Sequence, residues 1–336
     1  MDRGADSVIL GANRPSTTPV EASPNAEEVV LSVNESTPLR ATVCAICGSE
    51  GNADEVWPAT LSDEAFSVEV FSARRLPDRL HYRMVKCRTC GLVRSDPVLE
   101  TEVLNRLYEA STFDYGEELD SLRTTYGAAL GRLESLGIRS GLCDIGCGNG
   151  FVLEVALQRG WSDVHGVEPS ADAVARAAPP VREHIIQDVM RTGLFEEASL
   201  DAITLFQVLD HIPEPLALLE ECHRVLRPGG AILAFNHDVA AWSAKLLGAR
   251  SPIVDVEHTY LYSPETMRTL FAKAGFEVLE VGPVRNTYSL AYLLHLVPMP
   301  RTLKERLLPR VRATRLGRRQ VTVPLGNLCL VARRRT

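Results

Sequence analysis

Long apolar runs are missing from this sequence. No stretch approaches the roughly 18 consecutive apolar residues that a membrane-spanning helix needs, so no such helix is expected. The N-terminus lacks a basic segment followed by an apolar one, so no export signal is read there. Positive charge is not in excess either: 36 Lys and Arg stand against 43 Asp and Glu, a formal net charge of -7. General nucleic-acid binders carry a basic footprint, so nucleic acid is not an expected partner. No internal repeat is found. These absences together give a cytoplasmic chain as the expectation. The composition, 45% hydrophobic and 24% charged, is ordinary for a soluble globular protein. A length of 336 residues suggests about two domains. Without an export signal, the eight cysteines read as metal ligands or buried thiols rather than disulfides.

Four of those cysteines are patterned. Cys44-Ala45-Ile46-Cys47-Gly48 is matched further on by Cys87-Arg88-Thr89-Cys90-Gly91. Paired C-x-x-C-G knuckles place four thiolates tetrahedrally round one Zn²⁺. Four protein thiolates leave no open position, so the expected ion is structural. The competing reading, four buried free cysteines, does not predict a glycine after each pair. The spacer is long for a compact finger, but a hairpin with strands over residues 68–71 and 82–85 accommodates it. His81 reads as a surface residue rather than a fifth ligand. Residues 1–40 are rich in Ser, Thr, Pro, Asn and Glu and read as a disordered tail, with a docking segment as the alternative.

The stretch that organises the remainder is Leu142-Cys143-Asp144-Ile145-Gly146-Cys147-Gly148-Asn149-Gly150. An apolar lead-in ends in an acid, glycines take every second position, and Phe151 opens an amphipathic helix. This is the strand, tight turn and helix N-terminus of a nucleotide-type loop. Glycine permits positive φ and close approach of a ligand to the backbone. The dinucleotide fingerprint G-x-G-x-x-G fails, because Phe151 stands where its last glycine belongs. That disfavours a nicotinamide dehydrogenase.

The loop resembles motif I of the class I S-adenosylmethionine-dependent methyltransferases. Their donor carries no phosphate, so the loop need bind no anion. It must allow close backbone approach and set a carboxylate near a cation, and Asp144 is placed for that. The resemblance continues in Val208-Leu209-Asp210-His211 and in Arg224-Val225-Leu226-Arg227-Pro228-Gly229-Gly230. It spans roughly residues 41–335 and implies an α/β fold: a Rossmann-like sheet of seven strands beside a small N-terminal zinc-ribbon-like module. The last strand, over residues 327–333, is expected antiparallel between strands five and six. The implied division is a tail over 1–40, a zinc-binding module over 41–96, a helical linker or lid over 97–137 and a methyltransferase domain over 138–335.

The same resemblance assigns candidate roles. Asp144, Gly146, Gly148 and Gly150 cradle S-adenosylmethionine. Glu168 ends the next strand, about 20 residues on, where a carboxylate accepts ribose hydroxyls. Asp188 and Val189 fall at the adenine position, and Phe206 and Gln207 line the methionine end. His211, His237 and His258 are candidate general bases, with a loop-holding histidine as the alternative for His211 and His258. Tyr108, Tyr115 and Tyr126 are lid or core aromatics. Cys143, Cys147, Cys222 and Cys329 look like small buried hydrophobes.

The basic segment over residues 299–319 reads either as a solvated helix covering the sheet or as a peripheral contact for anionic lipid or a phosphorylated substrate. The expected reaction is methyl transfer to an oxygen, or a carbon, of a small-molecule or glycan-type acceptor, as in bacterial glycan and secondary-metabolite methyltransferases. The zinc module is similar to that of sugar C-methyltransferases, which carry a further C-terminal domain. The alternatives are a zinc-ribbon RNA methyltransferase or nucleic-acid binder, and a catalytically silent binding protein on the same fold.

Overall fold

The computed structural model describes residues 39–61, 79–111, 119–297 and 299–335. The expected tail before residue 39, the expected strand over 68–71 and Tyr115 lie outside the described residues.

The chain opens with short strands β1 (Leu39–Arg40), β2 (Ala53–Trp57), β3 (Met84–Cys87), β4 (Val93–Ser95) and β5 (Val98–Leu99). Helices α1 (Thr101–Ala110) and α2 (Leu119–Glu134) follow, and bury Leu104, Leu107, Leu130 and Leu133 at the helical spacing seen in the sequence. Alternation then sets in: β6 (Leu142–Ile145), α3 (Phe151–Gln158), β7 (Val164–Val167), α4 (Ala171–Ala175), α5 (Pro179–Arg182), β8 (Ile185–Ile186), β9 (Leu200–Phe206), α6 (Pro215–Val225), β10 (Leu226–His237), α7 (Trp242–Leu247), β11 (Tyr260–Leu261), α8 (Pro264–Lys273) and β12 (Phe276–Pro283). Next come β13 (Asn286–Ser289), α9 (Leu290–Leu296), α10 (Arg301–Arg312), β14 (Gln320–Val323) and β15 (Asn327–Arg334).

The main sheet has seven strands in the order β12-β15-β10-β9-β6-β7-β8. β6 pairs in parallel with β7 and β9, β7 with β8, and β9 with β10, while β15 runs antiparallel to both neighbours. The sheet is therefore the class I methyltransferase fold, with the expected reversed strand between β10 and β12. Its central strands are mostly apolar because helices cover both faces, with Asp144 and Thr204 as buried polar exceptions. Cys143, Ile203 and Ile232 face one core layer, with α6 and α8, and Leu142, Ala202 and Leu233 face the other, with α2 and α3. Strand order reverses between β6 and β9. Open sheets of this kind bind ligands at the carboxyl ends of the strands at such a switch point.

Local signals place several elements. Ser263 caps α8 reciprocally with Thr266, and Pro264 fills the first helical position, where no backbone donor is needed. Cys143, Cys147, Cys222 and Cys329 are all buried. The outermost parallel strand, β8, is only two residues long and ends just before Asp188. Among the described residues, β13 and β14 pair with each other and bracket an insertion between β12 and β15. The basic α10 sits in that insertion, where Lys304 Nζ donates to the His295 carbonyl oxygen.

Of the N-terminal strands, β1 and β5 pair with each other, but the other three do not make a sheet by themselves. The order β11-β4-β3-β2 recruits β11 from far along the chain. Met84 and Val93 pack there on Ile253, Val254 and Leu261. Lys273 Nζ, at the end of α8, donates to the Ile46 carbonyl oxygen in the first knuckle at 2.7 Å. One expectation is corrected here. His81 is only 1% exposed, with Nδ1 2.8 Å from the Tyr82 carbonyl oxygen. A backbone partner lets this polar ring enter the core beside Tyr82.

Candidate functional site

The glycine loop follows β6 at the switch point. Gly146, Gly148 and Gly150 all have positive φ, at 67°, 55° and 74°. A Cβ on Gly146 would lie 2.5 Å from Val208 Cγ2, so this bend packs against the loop after β9 and tolerates only glycine. Asp144 lies beneath it, 1% exposed, and Thr204 Oγ1 donates to its Oδ1 at 2.6 Å. Burial, chiefly, lifts this carboxyl to about 7; the Glu168 charge adds to the rise, and the Thr204 bond opposes it.

Glu168 is tied to the same loop. Its Oε2 accepts from the Gly148 N–H at 2.8 Å and its Oε1 from the Ser170 N–H at 2.9 Å. One carboxylate thus links the motif turn to the start of α4. Burial raises its pKa against those two bonds. Asp188, after β8, accepts from the Val189 N–H and pairs with Arg191 at 2.7 Å. Phe206 is buried and stacks on Tyr126 with ring centroids 4.2 Å apart, so Tyr126 is a core aromatic here. Gln207 is held at φ 57°, a left-handed conformation that costs a side-chain-bearing residue about 1–2 kcal/mol. Asn149 Oδ1 and Gln207 Oε1 are buried with no hydrogen-bond partner. Orphaned acceptors beside a backbone turn are what a polar ligand with donor groups would satisfy, so these residues fit S-adenosylmethionine.

Beyond Gln207 the chain gathers imidazoles. His211 follows β9, His237 ends β10 and His258 precedes β11. The His211 and His258 rings lie 4.8 Å apart, and His237 and His258 lie 5.0 Å apart. Asp210 sits among them, 1% exposed, and Asn236 Nδ2 donates to its Oδ1 at 2.9 Å. Burial alone would raise that carboxyl; the charges of His211, His258 and His237 outweigh it and hold the carboxyl below its usual range. Burial pushes the His211 imidazole down to about 4, against the pull of Asp210. His211 is therefore neutral near pH 7 and able to take up a proton. Tyr108, from α1, lies with its hydroxyl 3.2 Å from His211 Nδ1.

The structure thus brings Asp144, the three glycines and Glu168 together around the turn after β6, and His211, His237 and His258 together beyond the ends of β9 and β10. Asp188 and Val189 lie at the outer end of the parallel strands. Thr204 belongs to no motif read above; its one sequence signal is a hydroxyl inside the apolar run from Ala202 to Phe206. The contact between Tyr108 and His211 has no sequence signal, because the two residues meet only through packing.

The four knuckle cysteines also meet. Cys44 and Cys90 sulfurs lie 3.3 Å apart, Cys47 and Cys87 sulfurs 3.5 Å, and all four within 4.8 Å. Gly48 N–H donates to the Cys44 carbonyl and Gly91 N–H to the Cys87 carbonyl, giving matching turns. An all-thiolate cluster of this size fits tetrahedral Zn²⁺.

A methyltransferase-domain family model matches residues 120–281, the span holding the glycine loop, Glu168 and His211. Residues 120–281 thus carry a methyltransferase domain. Among its relatives is the ubiquinone biosynthesis O-methyltransferase of Paracidovorax citrulli, 25% identical over 200 residues, covering 53% of this chain and 84% of that one. The Idiomarina loihiensis protein of the same name is 34% identical over 130 residues, covering 36% and 50%. The chain therefore spans about half the length of the second relative. A solved S-adenosylmethionine-dependent methyltransferase from Archaeoglobus fulgidus aligns at TM-score 0.44 and 17% identity, covering 63% of this chain and 94% of that one. No helix among the described residues is long and apolar enough to cross a membrane.

Proposed function

We propose that this methyltransferase moves the methyl group of S-adenosylmethionine onto an oxygen, or a carbon, of a small-molecule or glycan-type acceptor held against His211, His237 and His258. The observation that carries the reading is the convergence of these histidines on the sheet edge that bears the glycine loop. The donor supplies a methyl already activated on a sulfonium. What remains for the protein is to orient the two reactants, exclude water and take the acceptor's proton where one must leave. Glu168 is assigned the ribose, Asp188 and Val189 the adenine, Phe206 and Gln207 the methionine end, and the Cys44, Cys47, Cys87, Cys90 set a structural Zn²⁺. Oxygen is favoured over carbon because the relatives are named O-methyltransferases. The net charge of -7 speaks against an RNA substrate.

The test pairs calorimetry with turnover on a panel of polyhydroxylated phenols and nucleotide-linked sugars. His211→Ala is expected to slow transfer roughly 10²-fold while leaving donor affinity unchanged. Full turnover in the Ala variants at 211, 237 and 258 alike would remove a histidine base.

Donor binding should also be coupled to protons. Free Asp144 is half-protonated at about 7. A cationic ligand favours its ionised form, so binding near that pH releases a proton, and affinity weakens as pH falls further. Calorimetry at pH 6.5 in buffers of different ionisation enthalpy is expected to show net release that Asp144→Asn removes. Identical buffer behaviour of both proteins would contradict the assignment of Asp144.

A further inference from the structure

Asp210, His237 and His258 come from three segments: the loop after β9, the end of β10 and the stretch before β11. One ligating atom from each lies within 4.8 Å of the others. Two neighbours already orient the rings. His258 Nδ1 lies 2.8 Å from the Ile253 carbonyl oxygen, which only a ring N–H can bond, so the proton sits on Nδ1. Its Nε2 faces Asp210 Oδ2 at 3.8 Å. His237 Nδ1 is engaged by Asn327 Oδ1 at 3.0 Å. Imidazoles that ligate metals are held in this way, one nitrogen on a protein oxygen and the other turned to the ion. The carboxylate gives an independent sign. Asp210 is 1% exposed, and its Oδ2 has no hydrogen-bond partner. A buried carboxylate oxygen without a hydrogen bond is unfavourable unless a cation or donor comes closer.

We infer that Asp210, His237 and His258 form a binding site for a divalent first-row metal ion, separate from the four-cysteine cluster. Two imidazoles and one carboxylate suit ions of the Mn, Fe, Co and Zn type, whereas thiolates select softer ones. Three protein ligands leave positions for water or for hydroxyl oxygens of an acceptor. His237 is only partly buried, so solvent reaches the edge of the site. His211 stays outside the ligand set, with Nδ1 on the Tyr108 hydroxyl. The ion's part in holding an acceptor rests on the proposed methyl-transfer reading; its binding does not.

The experiment is a titration of the full chain, its cysteine cluster loaded with zinc, by Mn²⁺, with free Mn²⁺ followed by electron paramagnetic resonance. Mn²⁺ is a poor competitor for thiolates, so it reports on the oxygen and nitrogen site. One bound equivalent per chain is expected, weakened at least about tenfold in both Asp210→Asn and His237→Ala. The inference is overturned if the wild-type chain binds no Mn²⁺, or if both variants bind it unchanged. S-adenosylhomocysteine affinity, measured on the same samples, separates the two readings. Nucleoside binding without Mn²⁺ sinks only the metal site. Mn²⁺ binding without nucleoside leaves the metal site standing and sinks the donor assignment.

Discussion

Replacing Cys87 and Cys44 together with serine is expected to release zinc and abolish methyl transfer while donor binding survives. Structural zinc contributes on the order of 10 kcal/mol or more in small modules, so a half-ligated cluster should not hold its two knuckles together. The consequence for transfer comes from what the module touches. The Ser95 N–H donates to the Thr259 carbonyl, and Ser95 Oγ donates to the His258 carbonyl at 2.9 Å. Tyr260 Oη donates to the Val43 carbonyl, beside the first knuckle. β4 pairs with β11, two residues beyond His258. The module therefore supports the backbone of His258, whereas the glycine loop stands on β6 and its own sheet neighbours. Zinc release read with a chromophoric chelator, turnover, and calorimetry with S-adenosylhomocysteine together check this. Full turnover in a zinc-free double variant would refute the dependence.

Glu168→Ala is expected to weaken S-adenosylhomocysteine binding roughly 10³-fold. Hydrogen bonds to a charged group contribute about 1.5–3 kcal/mol each, and a ribose offers two hydroxyls. The same carboxylate also accepts from Gly148 and Ser170, so its loss leaves two buried donors of the turn without their partner. Glu168→Gln keeps the shape but loses the charge and one acceptor oxygen, and should fall between. Calorimetry of the three proteins, with thermal unfolding to verify folding, decides the matter. An alanine variant that binds within a few-fold of wild type would place the ribose elsewhere.

Much of this chain can be read locally. Residues 142–151 declare a strand, a bend and a helix through three glycines and an apolar run, and the structure puts each there. The two knuckles announce a cysteine cluster because a C-x-x-C turn is a local shape, whatever surrounds it. Ser263-Pro264 starts a helix because capping needs only neighbours in sequence. Even the reversed final strand follows from resemblance together with a β-rich run near the C-terminus. His81 shows the limit: its polarity suggested the surface, and a backbone carbonyl one residue away kept it inside.

What the chain encodes in short-range order is therefore the donor loop, the cysteine pairs and the succession of strands and helices, since φ preferences, caps and apolar periodicity act over a few residues. Only folding decides that Asp210, His237 and His258 come together, that Tyr108 reaches His211, and that β11 completes the sheet of a module begun more than a hundred residues earlier. Those contacts join segments with no common pattern. They exist because burying both faces of one sheet forces distant loops onto the same carboxyl edge, and nothing in a linear run of residues carries that geometry.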